Sequence, residues 1–188
     1  MTLLDKPRVV EKLKDFHRYV TKHNGTIGTK VRGIDLNFNN RCNFKCKHCF
    51  TRSPLGDHVK EELPVPVVAN IADQADSLGI FEFDLQGGEL LLRPDKLFAV
   101  IEAIQPDRFY LYLTTNGYYL DNEMALRLAS AGVSRVSVSI DSTDEAVHDD
   151  FRGRRGAHKR AMEALVHVKD AGMSPYLNIT VGHYNLRV

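Results

Sequence analysis

The apolar residues of this chain keep two periods. Near the N-terminus Val9, Leu13, Phe16 and Val20 recur at helical spacing, with Asp5 placed to cap the helix and Pro7 in its first turn. Asn24-Gly25 and Gly28 end that segment. From residue 31 onward, strand-like runs (31–38, 81–86, 108–115, 133–141 and 176–181) alternate with helical patterns (65–78, 95–104, 122–131 and 157–171). Gly79, Gly132 and Gly172 each follow a helix where a left-handed cap is expected. Alternation of this kind predicts parallel strands joined by helical crossovers.

Buried parallel strands usually read as nearly continuous apolar runs. Here every second strand residue is often polar: Asp35 and Asn37, Asp84 and Gln86, Thr114 and Asn116, Ser137, Ser139 and Asp141, then Asn178 and Thr180. Their neighbours, such as Leu36, Phe83, Leu85, Val136, Val138 and Ile140, face the other way and pack under helices. One polar face on five successive strands predicts a concave, ligand-holding interior. An antiparallel sheet with a solvated face would also alternate, but the intervening helices argue against it. In parallel α/β folds functional side chains gather at the C-terminal strand ends.

Composition narrows the classes. At 188 residues, 43% of them hydrophobic, the chain is one domain or one large part of one, with enough apolar material for a real core. Lys and Arg number 25 against 24 Asp and Glu, so bulk charge gives no reason to expect nucleic acid or an anionic membrane as partner. No apolar run approaches the roughly 20 residues that span a bilayer. The opening Met1-Thr-Leu-Leu-Asp5-Lys6 is charged where a signal peptide is apolar. Three clustered thiols without disulfide-like spacing fit a reducing compartment, and the chain reads as cytoplasmic.

The thiols carry the chemistry. Cys42, Cys46 and Cys49 are spaced Cys-x3-Cys-x2-Cys in one loop after the first strand, and the chain has no fourth cysteine. Three thiolates can hold three corners of a [4Fe–4S] cluster, whose usual complement is four. The unligated iron would be open to another ligand, as a catalytic metal requires. The alternative is a Cys3His zinc site completed by His48 or His58, although zinc sites more often show two separated Cys-x2-Cys pairs.

This motif resembles the signature of the radical S-adenosylmethionine (SAM) enzymes. The resemblance implies a [4Fe–4S] cluster on the three cysteines and SAM chelating the fourth iron. It also implies reductive cleavage of SAM to a 5′-deoxyadenosyl radical that abstracts hydrogen from a substrate. His48 stands where the family usually has an aromatic residue bordering the adenine. Gln86-Gly87-Gly88-Glu89-Leu90 is similar to the family's Gly-Gly-Glu-Pro element, which implies that Gly87, Gly88 and Glu89 receive the SAM amino group. Glycines would let the ligand approach the backbone.

Val136-Ser-Val-Ser139-Ile-Asp141-Ser142 is like its Ser-Ile-Asp-Gly segment, with Ser139 and Asp141 as ribose acceptors. His148-Asp-Asp-Phe-Arg152-Gly resembles a segment that brings an arginine near the SAM carboxylate. Thr114-Thr115-Asn116-Gly117 matches the family's Thr-Asn-Gly, and Asn178-Ile-Thr-Val181 its fifth strand, where Asn178 can approach SAM.

The expected fold is therefore α/β: a parallel partial (βα)6-type barrel, five strand–helix steps present over residues 31–188, preceded by a helical segment over 1–30. The chain ends at Asn185-Leu-Arg-Val188, before the family's sixth strand, so a missing C-terminal segment or a second polypeptide is expected to complete the barrel. The resemblance further implies a flavodoxin- or ferredoxin-like electron donor, and a peptide or small biosynthetic intermediate as substrate. The competing function is a non-catalytic iron–sulfur or zinc module acting as sensor or assembly partner.

Overall fold

A computed structural model describes residues 5–49 and 62–186. The N-terminal residues Met1 to Leu4, His58 and Val188, all used in the sequence reading, lie outside that range. Five strands, β1 (Gly33–Asn37), β2 (Glu82–Gln86), β3 (Tyr110–Thr115), β4 (Arg135–Ser139) and β5 (Ser174–Asn178), form one sheet in sequence order. All four pairings are parallel. Six helices accompany them: α1 (Pro7–Lys22), α2 (Val65–Ser77), α3 (Pro94–Ile104), α4 (Asn122–Ser130), α5 (Glu145–Arg152) and α6 (Ala157–Asp170). The sheet is open, as in a partial barrel.

The two faces divide as the alternation predicts. Leu36, Phe83, Leu85, Val136, Val138 and Ile140 join the main core, against helix residues such as Val68, Leu97, Leu128 and Ala164. That core drives folding, because each buried aliphatic side chain contributes about 1.5–3 kcal/mol of transfer free energy. The opposite face keeps the polar residues. Gly79, Gly132 and Gly172 have φ of +74°, +88° and +77°, the left-handed conformation that ends a helix.

Three expectations shift. The strand placed at 176–181 runs from Ser174 to Asn178, because its register with Arg135–Ser139 of β4 stops there. The segment from Glu145 to Arg152, for which the sequence pattern predicts no element, is a helix; Asp144 caps it by accepting from the Val147 amide at 3.0 Å, and Gly153 ends it at φ +65°. The N-cap position of α1 is Lys6 rather than Asp5, with no side-chain cap bond.

Lys6 does something else. It is buried, and its ammonium donates to the carbonyls of Pro106 (3.0 Å), Phe109 (3.1 Å) and Gly132 (2.8 Å). Lys12 likewise reaches the carbonyls of Ile80 and Arg108, both at 3.0 Å. These oxygens sit where β2, β3 and β4 begin. Helix α1 therefore closes the N-terminal end of the sheet, and the C-terminal end is left for the thiols.

Candidate cluster and cofactor site

Beyond β1 the chain turns over the sheet's C-terminal end, carrying the exposed Cys42, the buried Cys46 and the half-buried Cys49. Phe44 anchors this loop: its ring is buried, meets Tyr118 edge-on at 5.6 Å, and packs with Cys46 and Ala157 in a small second core.

The loop is clamped from two sides by glycines. The Gly88 amide donates to Asn39 O at 2.9 Å and the Glu89 amide to Arg41 O at 2.7 Å. A Cβ on Gly88 would lie 2.0 Å from Arg41 O, and one on Gly87 would lie 2.4 Å from Asn39 O. On the far side, the Lys47 amide donates to Phe151 O at 2.9 Å, and a Cβ on Gly153 would lie 2.7 Å from Lys45 O. The Gly-Gly turn is thus small because the cysteine loop packs on it, not only to admit a ligand.

A cavity of about 230 Å³ opens among these pieces. It is lined by the three cysteines, His48, Gly87, Gly88, Ser139, Arg152 and Asn178, which brings together nine of the eleven residues singled out above. Gln86, Thr114, Thr115, Asn116 and Thr180 also line it. Gln86, Thr114, Asn116 and Thr180 were marked by their place on the polar face at strand ends, whereas Thr115 alternates to the opposite face.

Glu89 and Asp141 are the exceptions: neither lines the cavity, and both carboxylates are hydrogen-bonded within the protein. Glu89 is fully buried and its carboxylate accepts from Thr115 Oγ1 (2.7 Å), the Asn116 amide (2.8 Å) and the Leu91 amide (3.0 Å). It ties the end of β2 to the end of β3. Burial pushes its carboxyl above the usual range, while those donors pull it back. Asp141 accepts from Arg152 Nε at 2.5 Å and from the Thr180 amide at 2.9 Å, so both oxygens are engaged within the protein. His148 Nδ1 accepts the Asp141 amide at 3.2 Å; burial lowers this histidine to about 4 and keeps it neutral.

The environments of the Cys42 and Cys46 sulfurs suit an anionic cluster. The Phe44 amide points at Cys42 Sγ from 3.4 Å, Asn116 Nδ2 at the same sulfur from 4.0 Å, and Arg152 Nη1 at Cys46 Sγ from 3.8 Å. Such donors stabilise thiolate sulfur. Without metal, burial raises Cys42 to about 11 and lifts Cys46 as well, so metal binding must displace protons. Among the described residues, no three Cys, His, Asp or Glu side chains converge on a single-ion position. His48 stacks on Phe151 at 4.7 Å with a 9° tilt, leaving one ring face for the cavity.

This fold and donor set define an iron–sulfur α/β protein of the partial-barrel class. The family model of the Radical SAM superfamily matches residues 36–187, and the chain belongs to that superfamily. It is 34% identical over 149 residues to the AdoMet-dependent heme synthase of Methanosarcina barkeri, covering 77% of this chain and 41% of that protein. It is 34% identical over 162 residues to a probable GTP 3′,8-cyclase of Halobacterium salinarum, covering 82% and 44%.

The chain thus spans less than half the length of these curated relatives. Among solved structures, SuiB of Streptococcus suis superposes with a TM-score of 0.66 at 18% identity, over 90% of this chain and 37% of SuiB. The family's enzymes use a [4Fe–4S] cluster and SAM; SuiB has been solved with S-adenosylmethionine and with its precursor peptide SuiA. No helix among the described residues is long and apolar enough to cross a membrane.

Proposed function

We propose that this chain is the SAM-cleaving core of a radical SAM enzyme. One observation carries the reading: the three thiols share a single cavity with Gly87, Gly88, Ser139, Arg152 and Asn178, drawn from the ends of β2, β4, α5 and β5. When bound, a [4Fe–4S] cluster supplies the electron that splits S-adenosylmethionine to methionine and the 5′-deoxyadenosyl radical.

The protein's own part is positioning. Cys42, Cys46 and Cys49 would hold three corners of the cluster and leave its fourth iron open to the cofactor. Arg152, fixed by Asp141, presents a guanidinium beside Cys46 and toward the cavity, where it can pair with the SAM carboxylate. His48, held flat by Phe151, offers its free ring face to the adenine. Ser139 and Asn178, aligned in the sheet register, supply polar groups for the ribose and the methionyl end.

Further polypeptide, from this or another chain, fits the outer edge of β5, where Tyr176, Leu177 and Ile179 are exposed. A flavodoxin- or ferredoxin-like donor and a reducing, cytoplasmic setting suit the chemistry. The substrate is a peptide or small biosynthetic intermediate. A non-catalytic iron–sulfur or zinc module finds no support among the relatives, which are enzymes.

Anaerobic reconstitution tests the reading. Brown protein carrying iron and sulfide, releasing 5′-deoxyadenosine from SAM after reduction, is the expected result, with iron lost in Cys46→Ala. Colourless protein with stoichiometric zinc and intact SAM would overturn it.

A further inference from the structure

One layer beneath the cavity, the inner face of the sheet holds side chains that cofactor binding does not use. The register aligns Asp35 with Asp84, Asp84 with Tyr112, and Tyr112 with Arg135, so a single row crosses β1 to β4. Gln86 and Thr114, two residues further along β2 and β3, lie in the cavity wall above this row.

Among the described residues Arg135, in that row, has no salt-bridge partner. Its guanidinium carbon sits 3.5 Å from the Tyr112 ring centre and 4.6 Å from that of Tyr176, residues of the strands on either side. Its Nε is buried and has no hydrogen-bond partner among the described residues. The two rings hold the guanidinium by cation–π attraction but give its edge N–H groups no acceptor.

Asp84 shows the complementary deficit. It is 8% exposed; Oδ2 accepts from Gln86 Nε2 at 2.6 Å, Thr114 lies within reach of the carboxylate, and Oδ1 is buried with no hydrogen-bond partner among the described residues. Buried donors and acceptors are normally satisfied, and leaving them open is costly. A fold that keeps one of each in one layer, below the place where a radical would form, is shaped for a ligand that supplies both partners.

We propose that Arg135 and Asp84 form the substrate-recognition site: a carboxylate pairs with the edge of the Arg135 guanidinium, and an N–H of the same molecule donates to Asp84 Oδ1. A planar carboxylate matches the guanidinium fork with two parallel bonds. Tyr112, between the two in register, forms the wall along which the ligand lies. The proposal rests on the cavity above being the cofactor site, since that places the reacting carbon of the substrate over this row.

N-acetylglycine, which carries one carboxylate and one amide N–H, serves as a minimal probe. Titrated into the isotope-labelled chain, it should shift the Arg135 Nε–H resonance saturably, together with ring signals of Tyr112 and Tyr176. N-acetylglycinamide, lacking the charge, should bind roughly tenfold more weakly. Read at the Tyr112 and Tyr176 ring signals, Arg135→Gln should abolish the response and Arg135→Lys should weaken it, with circular dichroism and reconstituted iron content unchanged in both. No saturable shift in the parent, or equal ring shifts in Arg135→Gln, overturns the site. Equal binding of inorganic phosphate overturns the assignment to a carboxylate. A normal titration in protein that fails to cleave SAM would instead count against the cofactor reading and leave this site standing.

Discussion

Asp141 and Arg152 form an ion pair of 2.5 Å with side chains 0% and 8% exposed, and the same arginine reaches Cys46 Sγ at 3.8 Å. The pair therefore joins the end of β4 to the cysteine loop. Removing one partner of a buried pair strands the other charge, at a cost of about 3–5 kcal/mol. Arg152→Met and Asp141→Asn should each lower stability by that order in urea titrations. The double variant should cost clearly less than their sum. Strict additivity would show that the two residues act separately. Asp141→Asn should also weaken SAM binding more than it lowers iron content.

Gly88 and Gly79 make a matched contrast. Gly88→Ala places a methyl 2.0 Å from Arg41 O, so the segment entering the cysteine loop must move. Iron content after reconstitution should fall severalfold. Gly79 has φ +74° with open space around its would-be Cβ, so Gly79→Ala should cost only the left-handed backbone penalty, about 1 kcal/mol, with iron uptake intact. Equal iron loss in both would mean that general destabilisation, not the clamp, controls cluster loading.

Lys6→Met keeps the side-chain length but leaves the carbonyls of Pro106, Phe109 and Gly132 without their donor. A loss of about 3 kcal/mol is expected. Because Lys6 lies at the end of the sheet away from the thiols, iron stoichiometry should hold at temperatures where the variant remains folded. Loss of iron without loss of the folded state would contradict this division of labour.

Asp84 is raised from 3.8 to about 6, chiefly by burial; Gln86 opposes the shift, Asp35 adds to it, and Arg135 and Thr114 oppose it. The folded chain thus holds this proton more tightly than the unfolded one. The contribution of Asp84 to stability is full below the unfolded value of 3.8 and is lost as pH rises through about 6. Asp84→Asn removes that dependence. Over this window the parent should lose stability relative to the variant in denaturant titrations. Parallel curves would show that Asp84 does not titrate there.

The sheet was readable because polar and apolar residues keep strict alternation on five strands. Helix α5 was not: along Glu145–Arg152 two of its three buried side chains are His148 and Arg152, polar residues that a hydrophobic period cannot register. The same limit applies inside the site. Sequence places Glu89 and Asp141 at strand ends with acceptors available, but Glu89 accepts from Thr115 and the Asn116 amide, 26 and 27 residues on, as well as from the nearby Leu91 amide, and Asp141 accepts from Arg152 and from the Thr180 amide 39 residues on. Asp84 was visible as a polar-face residue. The open edge of Arg135 was not, because it depends on which rings surround it in the folded sheet.

The glycine clamp has a consequence for how the protein is made. The cysteine loop is closed on one side by α5, and the Lys47–Asp150 ion pair joins positions 103 residues apart. During synthesis the sulfurs emerge well before the helix that shuts their nest has been translated. Metal delivered early meets an unfinished, solvent-washed loop, so durable loading must wait for the later helix to dock. Colour in a growing culture would then report completed chains rather than thiols merely produced.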